Sequence, residues 1–202
     1  MNWLSNVSSD AVFGLLGVLI GALLTTGKDI WAYFIGRRSS ARYVAIRVVC
    51  VLDKYVEECA EVVLDDGLSY GSRDERGYLA PQVDLPPAPE FSDDLDWRSI
   101  DHTLAYEILS LSNEAISAER AISFAWDISG PPDFDEAFEQ RILRYATIGL
   151  KAASITERLR VRFGISKPDL GGWNPVERMA EAKAKIEMRS QEKATASAAL
   201  MD

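Results

Sequence analysis

The chain has 202 residues, 48% of them hydrophobic, with a formal net charge of −9; that is room for one apolar segment and one compact domain of about 150 residues. Residues 43–135 hold twenty acidic side chains against six basic ones, a balance that repels phosphate backbones and speaks against a nucleic-acid partner. One histidine and two cysteines exclude a di-iron carboxylate bundle, a two-histidine zinc helix and a four-ligand structural zinc site.

The first element is an uncharged run, Ala11 to Gly27, followed after Lys28 and Asp29 by Ile30-Trp31-Ala32-Tyr33-Phe34-Ile35-Gly36. A helix rising about 1.5 Å per residue crosses a hydrocarbon layer of roughly 30 Å in about 20 residues. Residues 1–36 are therefore expected to be a single transmembrane helix. Trp31 and Tyr33 suit the interfacial belt, Trp3 suits the opposite face, and Lys28 can extend toward head groups. Lys28, Arg37, Arg38 and Arg42 follow the run, whereas only Asp10 and the amino terminus precede it. Positive residues stay inside, so the expected placement is the inner membrane, amino end outside and the remainder cytoplasmic. A cleaved signal needs a basic start, which Met1 to Asp10 lacks. A buried helix of a soluble bundle is the remaining rival, disfavoured by the length of the run. Gly14, Gly17 and Gly21 lie in the span, and the Gly17–Gly21 spacing permits close helix–helix approach.

Residues 37–66 read as the first bundle helix, continuing from the anchor. Ala45, Val48, Leu52, Tyr55, Cys59 and Val62 step by three and four. A strand over Val44 to Val51 is the competing reading. Gly67 is the expected stop. Cys50 and Cys59, nine residues apart on a helix, face opposite sides and cannot bridge.

Residues 67–97 form a connector rich in Pro and Asp, with a hairpin over Tyr78 to Val83 as one option and polyproline character at Pro86-Pro87-Ala88-Pro89. A loop of this length is usually functional or mobile. The remaining bundle helices occupy 98–191. Ser99 to Ile128 carries a stripe of Ile100, Leu104, Ile108, Leu111, Ala115, Ala118, Ile122 and Ala125, with Ser112-Asn113 as a candidate kink. Gly130-Pro131-Pro132 ends it. Asp133 and Glu136 form an expected capping box for the next helix. That helix runs to Phe163 with a seam of Phe134, Phe138, Ile142, Tyr145, Gly149, Ala152, Thr156, Leu159 and Phe163, close to the heptad spacing of a coiled coil. Gly149 and Ala152 mark the approach of another backbone. Asn174-Pro175-Val176-Glu177 starts the last helix, expected to end near Gln191, with 192–202 as a disordered tail. The fold class expected is all-α: the anchor followed by an antiparallel helical bundle of three long helices and a short fourth.

Candidate chemistry is sparse. His102 with Asp101 reads as a surface or capping pair, and no nucleophile elbow or phosphate loop is present. Glu58 with Glu61, and Glu136 with Glu139, are each one turn apart. Facing pairs of this kind hold Mg²⁺ in some hydrolases, but first-turn dipole compensation explains Glu136 and Glu139 and is the favoured reading. Arg158, Arg160 and Arg162 suit a helix carboxyl end, anionic lipid, or the Asp93-Asp94-Asp96 segment. No catalytic residue, metal or cofactor is assigned. The leading expectation is a membrane protein presenting a helical interaction or assembly module, with the lipid bilayer and a protein partner or second copy as its contacts. A membrane-tethered, metal-dependent hydrolase using the four glutamates is the alternative, and a pore-former ranks last.

Overall fold

The computed structural model describes the backbone of residues 9–199 and the side chains of residue 36 and residues 38–196. Four helices make up the regular structure: α1 (Ser9–Leu64), α2 (His102–Ile128), α3 (Asp135–Phe163) and α4 (Pro175–Ala199), with one 3-10 turn, Trp97–Ser99. Among the described residues there is no strand, only an isolated bridge between Ser69 and Ser72. Val44 to Val51 is helical, and the hairpin over Tyr78 to Val83 does not form. Among the described residues no helix is long and apolar enough to cross a membrane. The expected span, 11–27, falls where side chains are not described.

α1 is unbroken over 56 residues, about 84 Å at the usual rise. Among the described residues its buried face runs from Ala41 through Val44, Ala45, Val48, Leu52, Tyr55, Cys59 and Val62, and from Ala45 onward it is the stripe the periodicity predicts. Gly67 follows its end at φ +73°, where any Cβ would sit 2.5 Å from the Phe138 ring; both the backbone angle and the contact require glycine there.

α3 packs against each of the other three helices. Cross-pairs fix the directions. Asp65 meets Arg141 and Asp53 meets Arg160, so α1 and α3 are antiparallel. Glu107 meets Arg158 and Glu114 meets Lys151, so α2 and α3 are antiparallel. Lys193 meets Glu139 and Met179 meets Gly149, so α4 also opposes α3. Among the described residues the backbones of α1 and α2 do not approach one another closely. The connector fills the space they leave beside α3. Val83, Leu85, Ala88, Phe91 and Leu95 pack into the common core, Pro86 and Pro89 are buried, and the Ser112 hydroxyl donates to the Pro89 carbonyl at 2.6 Å. The proline-rich stretch thus acts as a structural layer: proline lacks an N–H to leave unpaired, and its ring adds apolar surface. α2 continues through Ser112-Asn113 without being split in two, and the Ser112 hydroxyl is committed to the connector and not to its own helix.

One of the predicted helix starts differs from expectation. α3 begins at Asp135 after Phe134, which adopts the left-handed conformation and makes no side-chain cap. The Ser129 hydroxyl accepts the Ala137 N–H instead, at 3.0 Å. Asp133 is drawn away by Arg73, 2.5 Å distant, so the Asp133–Glu136 capping box does not form. Phe134 is held in a ring cluster with Tyr78, Trp126 and, through Trp126, Phe138. At α4 the local signal holds: Asn174 Oδ1 accepts the Glu177 N–H at 3.2 Å, and its amide donates to the Glu177 carboxylate at 3.1 Å. α4 runs past Gln191 to Ala199, its Ala, Lys and Glu content favouring helix, and Lys193 reaches Glu139.

Candidate functional site

The most polar feature of the interior sits where α1 ends. Asp65 is buried and its carboxylate accepts four bonds. Oδ1 takes the Gly67 N–H at 2.9 Å, while Oδ2 takes the Gln82 N–H at 2.9 Å, the Val83 N–H at 3.1 Å and the Arg141 guanidinium at 3.0 Å. Arg141 also donates to the Val83 carbonyl at 2.8 Å. The pair therefore ties α1, the connector and α3 at one point. Burial pulls the Arg141 guanidinium below its ordinary value, and the Asp65 carboxylate acts in the opposite sense. Arg141 occupies an interior position of the α3 seam that a reading by hydrophobic periodicity passes over, because arginine counts as polar in any such pattern. The guanidinium is spent on Asp65 and the Val83 carbonyl, and its role is structural.

Nearer the bundle centre, Tyr55 and Cys59 on α1 face Tyr145 and Gly149 on α3. A Cβ on Gly149 would lie 2.5 Å from Met179 Sδ of α4 and 2.9 Å from Cys59 Cβ. This is the close approach that the Gly149 position suggested. Burial pushes the Cys59 thiol up to about 12 and the Tyr145 phenol up to about 12. Burial likewise raises Tyr55, whose hydroxyl meets no partner at full hydrogen-bond geometry. None of these groups reaches solvent.

The four glutamates of the hydrolase reading are not assembled into a site. Glu58 is half-buried and pairs with Lys54 at 3.3 Å on its own helix. Glu139 pairs with Lys193 of α4 at 3.1 Å. Glu61 and Glu136 are exposed, Glu136 in the first turn of α3. Among the described residues, no group of three or more His, Cys, Asp or Glu side chains is placed to hold a metal ion. Asp101 caps α2, accepting the Thr103 and Leu104 N–H groups at 3.1 Å each, and exposed His102 is the first helical residue.

The arginines of the α3 end separate. Arg158 joins Glu107, and Arg160 joins Asp53; the acidic segment is met by Arg47, at 3.8 Å from Asp94. Arg162 instead lines a groove of about 660 Å³ together with Arg38 of α1 and His102 of α2. Of the residues expected at the membrane, Arg38 is exposed on α1, while Gly14, Gly17, Gly21, Trp31, Tyr33 and Arg37 lie outside the described side chains.

The outward side of α2 carries exposed large apolar residues interleaved with the exposed polar Asn113, Ser117 and Arg120. Tyr106, Leu109, Ile116, Phe124 and Ile128 of α2 are exposed, Tyr106 by 74% and Phe124 and Ile128 by 63% each. They recur at helical spacing on the side opposite Leu104, Ile108, Leu111 and Ala115. The sequence reading missed this second face because the stronger stripe carries the periodic signal. No protein-family model, no curated protein and no solved structure matches the chain.

Proposed function

We propose that the chain is a single-pass membrane protein whose amino-terminal helix anchors a cytoplasmic helical module for interaction or assembly. The observation that carries this reading is the continuity of α1. The uncharged run 11–27 and the core-forming stripe from Ala41 belong to one helix with no break between them. From Ser9 to Ala41 is about 48 Å of helix, close to the roughly 40–45 Å of a bilayer with its head groups. A bundle joined in this way stands at a set distance and orientation from the lipid, without a flexible linker. The basic residues 37, 38 and 42, which follow the aromatic cluster, support the cytoplasmic placement of the bundle.

The module reading draws on the exposed large apolar residues of the outward side of α2. Exposed large apolar residues at helical spacing are what a helix-in-groove or helix-pair contact uses. The protein partner is another protein or a second copy.

The test is fractionation of cells expressing the full chain and a chain lacking residues 1–36. The full chain should remain with carbonate-washed membranes and require detergent for release, and the shortened one should be found in the aqueous fraction. Recovery of the full chain as a monodisperse species in detergent-free buffer would sink the reading. Protease added outside intact cells should leave the carboxyl end intact.

A further inference from the structure

The groove at the anchor end of the bundle gathers basic groups from three elements. Arg38 comes from α1 just before its buried face begins, Arg162 from the last turn of α3, and His102 from the first turn of α2. Arg38 and Arg162 have no carboxylate partner among the described residues, in contrast to Arg158, Arg160 and Arg141. The one acid lining the groove, Asp101, has its carboxylate engaged by two backbone N–H groups. That engagement takes up the Thr103 and Leu104 amides at the start of α2, which leaves the guanidinium groups as the main donors. Ile100, buried, and Phe163, half-buried, add an apolar wall. Two arginines lining a part-apolar groove suit a phosphate joined to a greasy body, since arginine binds phosphate oxygens through paired N–H groups.

Position narrows the source of that phosphate. Arg38 follows Trp31 by seven residues, about 10 Å along the helix. With the aromatic residues at the interface, this places the groove at the level of the lipid phosphates.

We infer that the groove formed by Arg38, His102 and Arg162 binds the phosphate of an anionic phospholipid headgroup and so seats the bundle against the cytoplasmic leaflet. This rests on the membrane-anchor reading above. Arginines near an anionic surface contribute about 1 kcal/mol each, so losing both weakens lipid binding roughly 25-fold, equivalent to about 2 kcal/mol.

The test uses the full chain in neutral maltoside micelles. Phosphatidylglycerol is added in steps and the melting temperature followed, since a ligand of the folded state raises it. The expected result is a rise with phosphatidylglycerol, none with phosphatidylcholine, and none with inorganic phosphate at the same concentration. The double variant Arg38→Gln/Arg162→Gln should need roughly 25 times more phosphatidylglycerol for the same rise. Arg42→Gln, exposed and outside the groove, should respond as the parent does. Should the double variant prove unstable without lipid, Arg162→Gln alone serves, with a roughly 5-fold change expected. An unchanged response in these variants, or an equal rise with inorganic phosphate, overturns the proposal. Fractionating the same variants separates the two readings. Membrane-bound protein without a lipid-dependent rise removes the groove alone, whereas protein in the aqueous fraction removes the anchor.

Discussion

Replacing Asp65 by asparagine tests the point at which helix, connector and core are joined. All four groups bonded to this carboxylate are donors: three backbone amides and the Arg141 guanidinium. An asparagine NH₂ turned to either side meets a donor, and the guanidinium, with 4% of its side chain exposed, keeps its charge without a counter-ion. Breaking a buried pair from one side costs about 3–5 kcal/mol, against a total stability of about 5–15 kcal/mol for a natural domain. At roughly 2–4 °C per kcal/mol for a chain of this size, Asp65→Asn should lower the melting temperature by roughly 10 °C. The assay is a circular-dichroism melt of the full chain in neutral detergent, repeated by urea titration at fixed temperature. Arg141→Met should also destabilise, by leaving the carboxylate uncompensated. The two changes together should cost less than the sum of the single effects, because the second removes the charge that the first orphaned. A fall of no more than about 2 °C for Asp65→Asn, the level of a solvent-exposed pair, would refute the structural role assigned here.

The packing makes further predictions. Gly149→Val should destabilise by about 1–3 kcal/mol in the same melt, since Met179 can swing aside but Cys59 Cβ belongs to a packed helix. Ile155→Asp should unfold the bundle, while Ile142→Asp, at a half-buried position of the seam, should leave a cooperative melt at a lower temperature. Tyr55→Phe removes a buried hydroxyl without a full partner and should leave stability at pH 7 unchanged or raised by up to about 1 kcal/mol. Alkaline pH should destabilise the parent. The unfolded chain releases the Cys59 and Tyr145 protons from about 8.5 and 10, while the folded chain holds both up to about 12, so stability declines as pH rises through that window. A thiol reagent at pH 8 should modify one cysteine of the native chain, the exposed Cys50, and both in denaturant.

Helix spans and their buried stripes were legible in the sequence by itself. The signal for them is local: apolar residues three and four apart on α1, α2 and α3 declare a face whatever lies opposite. The Asn174–Glu177 start of α4 was legible for the same reason, since cap and partner are three residues apart. The Asp133–Glu136 cap has the same local form and failed because Arg73, sixty residues distant, competes for Asp133. Tertiary structure alone decided that residues 83–95 pack as a layer between α1 and α2, that Arg141 belongs inside because Asp65 and the Val83 carbonyl await it, and that Glu139 is taken up by Lys193 of α4. It also decided that Arg38, His102 and Arg162 line one groove. Each of these outcomes depends on which distant side chain occupies the facing position, and that is set by how the helices assemble around α3, not by the spacing of residues along any one of them.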